Sequence, residues 1–94
     1  MAEISLALHA PLARADLAGL YERMCRLLQP GVTIAWFDVT LARADAVTVD
    51  ALARLQLLAK RRGCQVRLRG CSSELRQLVE FMGLANVLPE DRVG

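Results

Sequence analysis

Apolar and polar residues along the 94-residue chain change period several times, and each change predicts an element. From Val32 to Val39 both alternating faces are apolar, with Val32, Ile34 and Trp36 on one side and Ala35, Phe37 and Val39 on the other. That pattern predicts a central strand, paired on both edges, covered by helices on at least one face, with Trp36 buried. A polar turn, Thr40 to Asp45, follows, and then Ala51, Leu52, Leu55, Leu58 and Ala59 recur at helical spacing. Thr48 reads as the N-cap of that helix, Asp50 as a first-turn acid favoured by the dipole, and Gly63 as its stop.

Around this strand–turn–helix unit the remaining elements alternate. Glu3 to Leu8 predicts a short first strand, closed by His9, Ala10 and Pro11. Asp16 to Leu28 predicts a helix, because Leu17, Leu20, Tyr21, Met24, Leu27 and Leu28 share one stripe, and Pro30-Gly31 ends it. Gln65 to Arg69 alternates as a strand with Val66 and Leu68 inward and both arginines in solvent. Ser72 reads as the cap of a third helix whose core face is Leu75, Leu78, Val79 and Met82. Gly83 ends that helix, with Leu84 folding back on Val79. Asn86 to Leu88 reads as a short edge strand or cap, and residues 89–94 as a frayed tail. The order β-α-β-α-β-α predicts a small, mostly parallel α/β sheet with three to four helices.

Composition narrows the classes. A hydrophobic content of 54% is too high for a disordered chain, and no apolar run reaches the ~20 residues of a membrane span. One domain of this length buries roughly 60 to 65% of its unfolded surface, enough to fold without metal or disulfide. The beginning Met-Ala-Glu lacks a basic segment ahead of an apolar one, so the expected location is cytoplasmic. Cys25, Cys64 and Cys71 read as reduced thiols, since a strand would hold the last two ~20 Å apart. His9 is the sole histidine, there is no CxxC pair, and so no metal or other cofactor is expected.

Charge changes the picture only locally. The net charge of +2 and the scarcity of aromatics give little support to nucleic-acid binding, and without a long apolar run no direct membrane insertion is expected. Lys60, Arg61, Arg62, Arg67 and Arg69 nonetheless fall within ten residues. They read either as a patch facing an acidic partner or anionic headgroups, or as a solvated helix end followed by a solvated strand face. No P-loop, G-x-G-x-x-G or G-x-S-x-G occurs, and no histidine stands near a nucleophile in sequence, so no enzymatic activity is expected. Asp38 and Asp45 are the only acid/base candidates, and local turn hydrogen bonds explain both more simply.

IAWFDV, Asp45, a helix ending at Gly63, QVRLRG, SSELRQL and GLANVLP together resemble a STAS domain, the family that includes anti-sigma factor antagonists. The resemblance covers about residues 32 to 89 and is distributed, with no single diagnostic motif. It implies a single STAS-like domain and a bacterial, non-enzymatic regulator of transcription that binds a protein partner, an anti-sigma factor or serine kinase of ATPase-like fold. In that family the turn before the second helix reads Asp-Ser-Ser-Gly or Asp-Thr-Gly-Gly and carries the phosphorylated serine. Asp45, Ala46, Val47 and Thr48 stand at the matching positions here. The aspartate is kept, the acceptor positions are apolar, and Thr48 is the only phosphoacceptor candidate among these four. The implied partner-binding set is Asp45, Ala46, Val47, Thr48, Val49, Asp50, Ala53 and Leu57, without the serine switch. Val49, Ala53 and Leu57 form a second apolar line on the helix, either exposed and extending the binding surface or covered by the third helix as core. A second implied role is the small STAS subunit of a lipid-transporting ABC system, and a homodimer is also compatible.

Overall fold

The computed structural model describes residues 2–9 and 12–90, so the end of the strand-closing segment at Ala10 and Pro11, and the tail beyond Glu90, lie outside the described residues. Three strands, β1 (Ala2–Ala7), β2 (Val32–Asp38) and β3 (Gln65–Arg69), form one parallel sheet in the order β1-β2-β3. They alternate with α1 (Leu17–Leu27), entered through a 3-10 turn at Arg14–Asp16, α2 (Ala46–Arg61) and α3 (Ser73–Phe81). The α/β order expected from the periodicity is therefore present, with β2 in the centre paired on both edges.

Registering the strands separates the two faces of the sheet. Ile4, Ala35 and Val66 lie in one row and Leu6, Phe37 and Leu68 in the next, and all but Ile4 are buried. They share one core with Leu17 and Met24 of α1, Val49, Leu52, Leu55 and Ala59 of α2, and Leu75 and Val79 of α3. The opposite face carries rows Glu3–Ile34–Gln65, Ser5–Trp36–Arg67 and Ala7–Asp38–Arg69, and contributes nothing to the buried core. Consecutive crossovers of one hand place successive helices on the same side of the sheet, which leaves the other side bare among the described residues. Trp36 is accordingly not buried, as its place in the strand predicted, but half-buried on that bare face. Its indole Nε1–H donates to Glu3 at 2.5 Å, and the Arg69 guanidinium lies 4.4 Å from the ring centroid.

Helix ends differ from expectation in one instructive place. Asp45, not Thr48, caps α2: its Oδ1 accepts from the Thr48 backbone N–H at 2.8 Å, so the helix begins earlier, at Ala46. Both residues are competent caps, and the earlier start is the one that turns Thr48 and Val49 into the core. Ser72 caps α3 as expected, accepting from the Leu75 N–H at 3.1 Å. At its other end Gly83, with φ of +74°, lets the Leu84 N–H reach the Val79 carbonyl at 2.9 Å. Met82, read as a core residue of α3, is instead 43% exposed because the helix has ended before it.

The tail is more ordered at its start than its composition suggested. Leu88 is buried, the Leu68 N–H donates to the Pro89 carbonyl at 2.7 Å, and Glu90 bridges Leu68 in parallel while pairing with Arg76. Ala85 to Val87 form a turn instead of an edge strand, and the free edge of β3 is covered one step later, by residues 88–90.

Candidate functional site

The turn between β2 and α2 is built by two aspartates with separate local tasks. Asp38 Oδ1 accepts from the Thr40 hydroxyl at 2.7 Å and from the Thr40 N–H at 3.1 Å. These bonds favour the ionised form and hold the Asp38 carboxyl below its ordinary value, the hydroxyl contributing most and the charges of Arg69 and His9 adding to it. Thr40 is held against Gly70, whose φ of +71° and missing side chain are both required: a Cβ there would overlap the Thr40 hydroxyl. Asp45 is committed to capping α2. Each acid is thus engaged in its own turn hydrogen bonds, and the two are not brought together as a pair by any shared contact. Among the described residues no group of three or more His, Cys, Asp or Glu could hold a metal ion.

The residues implied for partner binding divide by exposure. Ala46 is exposed, while Asp45, Val47, Asp50 and Ala53 are half-buried, and Leu57 is 50% exposed. Thr48 is 1% exposed and Val49 fully buried, so these two face the core and are unavailable to a partner. The second apolar line is therefore split, Val49 being core and Leu57 surface. Asp50 is paired with Arg54 at 3.2 Å and with Arg14 at 3.6 Å, which ties α2 to the segment entering α1. Sequence reasoning missed Leu41, which stands 63% exposed at the tip of the turn. An isolated leucine in a polar turn was the available signal.

The run of basic residues is not one patch. Lys60 and Arg61 end α2 on the helical side, and Arg62 donates to the Leu28 carbonyl at 3.4 Å. Arg67 and Arg69 lie across the sheet on the bare face. Between α1 and α2 runs a groove of about 320 Å³ lined by Tyr21, Cys25, Arg54, Leu57, Leu58 and Arg61. A second hollow, about 270 Å³, lies at the carboxyl edge of the sheet between Ala7, Leu8, His9, Asp38, Thr40 and Leu41. All three cysteines are free thiols. Burial pushes the Cys71 thiol up to about 11, with Glu90 adding to the effect. No helix among the described residues is long and apolar enough to cross a membrane.

No protein-family model matches the chain, and no curated protein matches it. Its fold is similar to that of the protein TM1081, whose structure was solved by NMR: the TM-score is 0.73 over 94% of this chain and 73% of that one. The two share 7% sequence identity, so the likeness concerns the fold.

Proposed function

We propose that the chain is a non-enzymatic protein-binding module of the STAS kind, similar to an anti-sigma factor antagonist, which docks through the β2–α2 turn and the outward side of α2. The observation that carries this reading is the pair of exposed leucines, Leu41 at 63% and Leu57 at 50%, at the turn tip and farther along α2. Exposed large apolar side chains are where a partner gains most from excluding water. Ala46 and the half-buried Val47 and Ala53 continue that apolar surface without adding charge.

Regulation by phosphate does not fit the same surface. Ala46 and Val47 have no hydroxyl, and the Thr48 hydroxyl, at 1% exposure, is enclosed by the core. A kinase would have to unwind the first turn of α2 to reach it, so the module binds constitutively.

The test is affinity capture from the native host with the wild-type chain and with Leu41→Asp and Leu57→Asp, each checked by circular dichroism. Recovery of an ATPase-like anti-sigma factor by the wild type, lost in folded variants, supports the reading. Recovery of an ABC permease and its ATPase instead assigns the chain to a lipid-transport assembly. Capture unaffected by either variant moves the docking surface elsewhere. Intact-mass analysis with ATP and the captured partner tests the constitutive state, since a stable phosphate mapped to Thr48 would overturn it.

A further inference from the structure

The two edges of the sheet are treated differently. Residues 88–90 close the outer edge of β3, whereas among the described residues nothing pairs with the outer edge of β1. The Ala2 and Leu8 N–H groups donate toward the β2 side, to the carbonyls of Gly31 and Asp38. Backbone groups alternate along a strand, so Ile4 and Leu6 also face β2, and Glu3, Ser5 and Ala7 direct their N–H and C=O outward. Protection of this edge is confined to its start, where Glu3 is charged and the register shifts between Ala2 and Glu3; from Ile4 to Ala7 the strand has no charge, no proline and no irregularity.

Partly buried apolar side chains of α1 and β1 lie at the margin of the core. On α1, Tyr21 and Cys25 line the groove toward α2. At about 100° per residue, Leu20 and Leu27 then fall on the other flank of the helix, away from α2. Both are only partly buried, as is Ile4 on the core side of β1.

We propose that β1 is a self-association edge, at which a second copy of this chain adds its own β1 antiparallel to form one continuous six-stranded sheet. The occupant is a second copy because β1 is complementary to itself in one two-fold register. With the axis at Ser5, Ser5 faces Ser5 of the other copy and Glu3 faces its Ala7. Every outward residue then meets an outward residue, and all the outward donors and acceptors from Glu3 to Ala7 are satisfied. On the core side the same register sets Ile4 beside Leu6 of the second copy, so that the partly buried Ile4 gains an apolar neighbour. On the bare side no like charges face each other. The edge is distinct from the turn and α2 surface and does not depend on it.

The experiment is sedimentation of the whole chain from micromolar to millimolar concentration, with hydrogen exchange at both ends of the range. The expected mass rises from 10.3 kDa toward twice that value. The Ser5 and Ala7 amides change from fast to slow exchange as it does, while Ile4 and Leu6, bonded to β2, stay slow throughout. Ser5→Pro removes an outward N–H that the single chain does not use, and is expected to stay monomeric at every concentration. Should that variant fail to fold, Ser5→Lys decides, since lysines placed opposite each other at the axis weaken association about fivefold or more. A monomeric mass throughout overturns the proposal. So does a dimer that Ser5→Lys leaves unchanged, or slow exchange of Ser5 and Ala7 in the monomer.

Discussion

The two faces of the same three strands live in different surroundings. Toward the helices, Phe37 is fully buried between Leu6 and Leu68 in its row. One residue earlier, Trp36 points the other way, between Ser5 and Arg67, and keeps part of its ring in solvent. Both are large aromatics on the middle strand, yet only one is enclosed by packing. Stability in this fold follows which side of β2 a residue takes more than how apolar it is.

The comparison is broken most directly by truncating each aromatic. Phe37→Ala is expected to cost about 3 to 5 kcal/mol, because it leaves a cavity in the middle of its row of the buried core. Trp36→Ala is expected to cost about 1 kcal/mol, mainly the contact with Arg69 and part of a ring already wet. Chemical denaturation of both variants checks this, and equal losses would mean that the bare face is covered in solution.

Gly70 sharpens the picture by marking where tolerance on the solvent side ends. Gly70→Ala needs a left-handed backbone and displaces Thr40, so a loss of about 2 kcal/mol is expected although the residue is exposed. Thr40→Ser, which keeps the hydroxyl bond to Asp38, does not relieve that clash, while Thr40→Gly in the same background recovers part of the loss. Denaturation midpoints of the two double variants distinguish strain from a lost contact.

Asp38 gives a smaller effect with a defined sign. Its folded carboxyl lies below the ordinary value of 3.8, so its contribution is present above that pH and is lost as pH falls through the lower folded value. Asp38→Asn keeps an acceptor for Thr40 but cannot titrate. The stability advantage of the wild type over this variant should therefore shrink only below about pH 4, as followed by unfolding at successive pH values.

The smallest effect is chemical. At pH 8 an alkylating reagent is expected to modify exposed Cys25 first, with Cys64 protected by burial and Cys71 held as the thiol by its raised pKa. Mass spectrometry of the native chain should show a single early adduct. Rapid modification of Cys71 would indicate that residues 88–90 open readily.

The element order was legible because helical and strand periods do not mix in this sequence. β3 appeared with its observed limits, since Val66 and Leu68 alternate with charged neighbours on a strand wet on one side. β2 was harder, being apolar on both sides, and such a run reads equally well as a doubly covered strand. The missing information lay in its neighbours: Glu3, Ser5, Arg67 and Arg69 are the residues that share the Trp36 side, and their polarity marks it as open. Two competent caps three residues apart, Asp45 and Thr48, left the start of α2 undetermined, and with it the burial of Thr48. At the turn, the resemblance drew attention to residues 45–50 but gave no view of Leu41, which stands exposed beside the Thr40–Gly70 contact.

The closure of β3 by residues 88–90 sets how this protein would begin to misassemble. Among the described residues that closure includes the buried Leu88, the Leu68–Pro89 backbone hydrogen bond and the Arg76–Glu90 pair. All three depend on residues 88–90, the last of the described residues. Releasing them requires only a local fluctuation, far less costly than global unfolding. During that excursion the Leu68 row of β3 stands as an unpaired, partly apolar strand, able to recruit an unfolded neighbour before the clasp returns. Shelf life in concentrated solution would then track the lifetime of this small opening.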